Sequence, residues 1–296
     1  MARKNIFQLV EENYNIQTEI VKINNLFENE EYFKGKNTYF DNYSFKKLIE
    51  SFLFSDWKYR STCLDTDELF ERADAYITGR KNNEEYKIIN NLEIMENFIK
   101  LYFDKSNDLL SKYKIKYYTE FETVFCDLIS TLEKKIGLTK REYKDRIVIY
   151  PKNAPLETVI DLTDDEDVQW ELIRYERENL SLSEKRKSLA YLATNLYIEE
   201  DSKEKDEQIK AIIGKATNVL NNLHIRHNNK TGKWENKILK DIDEDDAIML
   251  CDMVFNEMLT VVLMREHKEY ETTYKNFNQK QKQASNKKKS EEIHNG

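Results

Sequence analysis

Residues 86–103 read YKIINNLEIMENFIKLYF, and within them Ile88, Leu92, Met95, Ile99 and Tyr102 recur at intervals of four, three, four and three. At 3.6 residues per turn this spacing stacks all five on one side of a helix, whereas a half-buried strand would alternate at every second position. The same rhythm runs outward in both directions. Ile16, Ile20, Ile23 and Phe27 carry it before this stretch, and Tyr117, Phe121, Val124, Leu128 and Leu132 carry it after. Val168, Leu172, Tyr175 and Asn179 repeat it, followed by Leu189, Leu192, Ala193, Leu196 and Tyr197. The pattern predicts an all-α chain.

Composition agrees. Six Gly and two Pro among 296 residues leave few of the usual turn formers, so the elements should be long. Hydrophobic residues make up 40% and aromatic residues 12%, enough for a core despite 34% charged residues, which excludes a wholly disordered chain. Cys63, Cys126 and Cys251 are far apart, odd in number and without a CxxC pair, a poor disulfide or zinc framework. They read as buried free thiols in a reducing compartment. The opening MARKNIFQLVEENYN meets acids and amides too soon for a signal-peptide core, and the expected location is cytoplasmic. Residues 247–264 are mostly apolar but contain Asp252, Asn256, Glu257 and Thr260. A charge at bilayer centre costs about 2.5–3.5 kcal/mol, so this stretch is expected to be a core or interface helix, with no membrane as partner.

Starts and breaks are also written in. Thr139-x-x-Glu142, Thr163-x-x-Glu166 and Ser181-x-x-Glu184 fit the capping box, and Asp243 is placed to cap the last long helix. The acidic run at residues 161–167 fits a helix N-terminus better than a metal-dependent nuclease centre. RIVIYPKNAP, residues 146–155, holds both prolines and the β-branched run Ile147, Val148, Ile149. One short strand or extended connector is expected there, separating an N-terminal helical domain at 1–150 from a C-terminal one at 151–270. From 271 to 296 the chain turns to Asn, Gln and Lys, and a frayed or disordered tail is expected. The segment from Phe54 to Arg60, FSDWKYR, reads as an aromatic anchor whose Lys and Arg reach back to solvent.

Chemistry concentrates in residues 209–240. Ile209, Ile212, Ile213, Ala216, Leu220 and Leu223 form one apolar stripe, and continuing the helical phase places His227 on it, His224 beside it and Arg226 at its flank. The segment has seven basic residues, Lys210, Lys215, Arg226, Lys230, Lys233, Lys237 and Lys240, against Glu235. That is +6 in a chain whose net charge is −8, a local patch able to attract phosphate. Zinc binding by His224 and His227 lacks a third ligand of convincing spacing. Each His also has a structural reading, as a dipole-stabilised or satisfied core residue.

An Arg followed by a polar residue at the end of an amphipathic helix, then a long hydrophobic helix, resembles the HEPN superfamily over about residues 155–270. These helical bundles are common in bacterial abortive-infection and toxin systems, and many are metal-independent RNases. The stretch NNLHIRHNNKTGK also resembles segments of phage-resistance proteins. The resemblance implies a HEPN-like C-terminal bundle that cleaves or binds RNA in phage defence, with no cofactor or metal. Arg226, His227 and His224 would be catalytic, and Asn228, Asn229, Lys210, Lys215, Lys230, Lys233 and Lys237 would bind RNA. HEPN RNases place a His four to six positions after the Arg-polar pair, yet Thr231 to Lys233 contain none. The resemblance therefore implies a homodimer in which a partner supplies the second His, with a phage or host protein as trigger. The Met-rich helix near residues 245–264 is the expected dimer contact. The alternative is a non-enzymatic helical interaction or regulatory protein.

Overall fold

The computed structural model describes residues 15–29, 31–35, 42–77, 85–113, 115–117, 120–198, 204–222 and 242–294. The chain divides into two compact units, Met1–Lys152 and Asn153–Gly296.

In the N-terminal unit α1 (Ile16–Asn29) leads into β1 (Glu31–Gly35), β2 (Asn42–Ser44) and α2 (Phe45–Phe52). Two 3₁₀ turns, Phe54–Asp56 and Lys58–Arg60, precede α3 (Thr66–Arg72) and the long α4 (Glu85–Tyr113). After β3 (Ile115–Tyr117), a π-helical stretch Phe121–Cys126 runs into α5 (Asp127–Lys135), and β4 (Leu138–Tyr143) and β5 (Arg146–Pro151) close the unit as a hairpin. The core is aromatic. Phe27 stacks on Phe98 at 5.9 Å, Phe45 meets Phe121 at 4.7 Å, and Phe33 meets Phe121 at 5.1 Å. Trp57 sits 5.3 Å from Phe98 while Lys58 points to solvent, the anchor expected of FSDWKYR.

The expectation of one strand is corrected. β2, β1 and β3 form a three-stranded antiparallel sheet, and β4 pairs with β5 from Leu138↔Pro151 to Tyr143↔Arg146. β1, β2 and β3 span only three to five residues each, too few for a period of two to stand out. They are held because Tyr32 and Phe33 of β1 are buried in the aromatic core. Thr139-x-x-Glu142 lies within β4 and caps nothing. The predicted stripe after Tyr117 is shifted too: Phe121, Phe125, Ile129 and Leu132 are buried while Val124 is exposed, because the wider π-turn advances the phase by one residue.

β5 lacks a strand on its second edge, and α4 takes that place. Asn97 donates to the Ile147 carbonyl at 2.8 Å and accepts from its N–H at 2.9 Å, while Glu93, one turn earlier, accepts from Ile149 N–H at 2.9 Å. Two polar side chains at i and i+4 thus supply the ladder partners that buried backbone requires.

The C-terminal unit consists, among the described residues, of α6 (Ala154–Asp161), α7 (Glu166–Arg177), α8 (Leu182–Asn195), α9 (Glu207–Asn222) and α10 (Glu244–His294). Asn153 caps α6 with Pro155 in its first turn. Both halves of the Ser181–Glu184 capping box are present, and Asp243 accepts from Asp246 N–H at 2.8 Å. At α7 the cap is Asp165 rather than Thr163, whose hydroxyl instead donates back to Val159 O. α10 packs on α9, α8 and α6 through Ala247, Cys251, Val254, Phe255, Met258, Leu259 and Val261. Over Glu244–Lys282 it is long and apolar enough to cross a membrane by length and composition, with a mean hydropathy of 1.8 in its most apolar window, of which 39% is buried within the protein. The helix continues to His294, in place of the fraying expected from residue 271.

Candidate functional site

Asp206 precedes α9 and caps it, its carboxylate accepting from the N–H groups of Gln208 and Ile209 at 2.9 and 3.0 Å. Its apolar stripe is seated: Ile209, Ile213, Ala216 and Leu220 are buried. Lys210 and Lys215 are exposed. At 100° per residue they stand about 140° apart, one on each flank of the buried stripe. Lys215 lies close enough to Glu257 to offset part of the burial that pushes that carboxyl above its usual range. The helix is described as far as Asn222, so it delivers the chain directly to Leu223 and the Arg/His segment. His224, Arg226, His227, Asn228, Asn229, Lys230, Lys233 and Lys237 lie outside the described residues. The structure therefore places two of the ten candidate site residues, Lys210 and Lys215, and both face solvent.

The strongest polar constellation in the C-terminal unit was not singled out from sequence. Tyr175 OH donates to Asp252 Oδ1 at 2.9 Å, and Lys185 Nζ bonds the same oxygen. Lys185 also stands 4.5 Å over the Tyr175 ring, which stacks on Phe255 at 4.2 Å. Burial, reinforced by the Asp252 carboxylate, holds the Tyr175 phenol well above its ordinary range, so it is a hydrogen-bond donor and not a base. The group ties α7 and α8 to α10. Its signal in the sequence was Asp252 itself, since a charge inside an apolar run needs a partner.

In the N-terminal unit Lys140 reaches two buried carboxylates, Glu96 at 2.6 Å and Glu133 at 3.4 Å. Burial first and Glu96 second push Glu133 up to about 7, and Lys140 only partly opposes them. Among the described residues Glu133 Oε1 has no hydrogen-bond partner. Burial also lifts the Cys126 thiol to about 12 and the Cys251 thiol to about 11, so neither is a thiolate nucleophile at neutral pH. A cavity of 260 Å³ is lined by Asn24, Glu28, Asp67, Tyr76 and Asn91. Four of its polar groups are engaged with the protein: Asn24 and Asn91 bond each other at 3.0 and 3.2 Å, Lys46 holds Asp67 at 2.5 Å, and Tyr76 donates to Asp67 at 3.2 Å. Among the described residues no group of three His, Cys, Asp or Glu side chains is arranged to hold a metal ion.

No family model, curated protein or solved structure matches this chain. The functional reading accordingly rests on its own residues.

Proposed function

We propose that the C-terminal unit binds RNA through α9 and the basic segment that follows it, and that Arg226 and His227 act on the bound strand. The observation that carries this reading is the setting of α9: one face is anchored in the core, while Lys210 and Lys215, two of the seven basic residues of the +6 segment, project to solvent. Phosphate attraction by a local basic patch needs no strongly basic protein. In a cleaving site His227 takes a proton from a ribose 2′-hydroxyl or returns one to the leaving oxygen, and Arg226 stabilises charge on the phosphorane. The finer form of the reading, a HEPN-like RNase of phage defence acting as a homodimer in the cytoplasm, draws support from the Arg-polar motif and the long apolar helix after it.

The growth and RNA integrity of cells expressing the protein test the catalytic part. Wild-type chain should arrest growth and fragment RNA, and Arg226→Ala and His227→Ala should each restore both by 100-fold or more, the scale of a general acid–base residue. Arrest that persists in both variants would remove the catalytic reading. A second reading, a non-enzymatic interaction protein, is favoured by the apolar side chains that α10 leaves exposed.

A further inference from the structure

The exposed apolar residues of α10 follow a rule. Met249, Met253, Tyr270, Tyr274 and Phe277, with the half-buried Leu263 and the polar Asn256, Thr260 and His267 between them, are separated by alternating steps of four and three. That is a heptad seam held over four repeats, on the side of α10 away from the residues buried in its own unit. Met249 and Met253 are 54% and 53% exposed, and Tyr270, Tyr274 and Phe277 are 66%, 57% and 55% exposed. Three members are polar, and one of them, His267, lies 3.5 Å from Glu271 one turn on. Asn256 donates to Asp252 O at 2.9 Å and Thr260 to Asn256 O at 2.8 Å, so both already have backbone partners. The five large side chains expose on the order of 500 Å² per chain, at the upper end of what a monomer leaves bare.

Charge says what covers it. From Glu244 to Glu271 the helix has eight acidic residues and two basic ones, Arg265 and Lys268. From Thr272 to Lys282 it has Lys275, Lys280 and Lys282 and no acid. Parallel pairing of two copies would set acidic half on acidic half and bring Glu266 against Glu271 of the partner subunit. Antiparallel pairing sets the basic end of each copy on the acidic half of the other and leaves fewer acid–acid contacts, Glu257 beside Glu271 of the partner subunit and Glu266 beside its own copy. We infer that α10 pairs with α10 of a second copy of this chain in an antiparallel coiled coil along the seam Met249 to Phe277. Centred between Leu263 and His267, the pairing lays Met253 against the ring of Phe277 and Thr260 against Tyr270, with Asp252 level with Lys280. Sulfur–aromatic contacts of this kind suit a Met-containing seam. Doubling the exposed patch gives about the 1,000 Å² that a specific interface clears. This contact deepens the homodimer of the proposed function and rests on it, but its test reads mass and distance with no RNA present, so failure of RNA binding and failure of pairing are separate outcomes.

Light scattering on the full-length chain tests it, with spin-label distances giving the orientation. At micromolar protein the mass should be twice the chain's 35.6 kDa. Tyr274→Lys with Phe277→Lys should halve it while leaving the helical spectrum and the melting of the C-terminal unit unchanged, because both residues are exposed. A label on Met249→Cys, read as the difference from labelled wild type, should report about 50 Å between copies, some 32 residues of helix at 1.5 Å each. Parallel pairing would give about 10–15 Å, the helix-to-helix spacing plus the label. A wild-type mass of one chain, a dimer indifferent to the two lysines, a short distance at position 249, or recovery only in detergent or membranes would each overturn the proposal.

Discussion

At the scale of single residues, the two buried charge clusters behave differently, and each gives a prediction. Glu133 has a folded-state value of about 7 against an ordinary 4.5. A carboxyl raised in this way stabilises the fold when protonated, so its contribution is whole below about pH 4.5 and lost as pH rises past about 7. Glu133→Gln should therefore leave the N-terminal unit's stability unchanged near pH 4.5 and raise it near pH 8 by on the order of 2 kcal/mol. Chemical denaturation at both pH values checks this, and an equal effect at both would show that Glu133 is not the titrating group. Lys185 is the opposite case, a buried ammonium satisfied by Asp252 and the Tyr175 ring. Asp252 is half-exposed and keeps water as an alternative partner, so Lys185→Met should destabilise by about 1–2 kcal/mol rather than by the larger penalty of a sealed ion pair. Adding Asp252→Asn to that variant should recover part of the loss, and strict additivity in a double-mutant cycle would contradict the pairing.

Secondary-structure elements show where sequence reading succeeds and where it fails. The stripes of α1, α4, α7 and α8 are legible because four or five residues repeat one spacing; Ile88, Leu92, Met95, Ile99 and Tyr102 are all buried as their intervals require, while Asn179 and Tyr197 lie past the ends of α7 and α8 and are exposed. The strands are hidden because their pairing is non-local. β4, LTKREY, shows no apolar alternation and borrows a helix-start motif, and only its partner β5 makes it a strand. The π-turn is silent in sequence, since one extra residue in a helical turn leaves the local composition unchanged. The β4–β5 turn is unusual in its chemistry. Lys144 and Asp145 both hold left-handed φ, 47° and 65°, where Asn-Gly is the favoured pair in a two-residue hairpin. Asp145 contributes only an exposed ion pair with Lys58, of little weight. Replacing the pair by Asn-Gly should raise stability by about 1 kcal/mol, measured as a shift in urea midpoint at constant slope. A loss would show that Lys144 and Asp145 serve a contact beyond the turn.

For the whole molecule, what sequence made visible was the mostly helical character. The candidate site was visible only as composition: charge and helical phase singled out residues 209–240, and the described part of that stretch ends at Asn222. The α10 seam escaped because two patterns are superimposed on one helix. Residues that pack into the unit and residues that face outward are both apolar between 247 and 264, so the stretch reads as hydrophobic on all sides. Burial separates the two sets.

The proposed RNA function is tested most directly by the salt dependence of binding. Affinity of the full chain for a fluorescent single-stranded RNA should fall linearly with salt on logarithmic axes, as it does when lysines release counterions from phosphate. The double variant Lys210→Ala, Lys215→Ala should bind more weakly at every salt concentration, with a slope shallower by about 1.4, two contacts at about 0.7 each. Binding that ignores salt, or a slope unchanged in the double variant, would contradict the placement of RNA along α9.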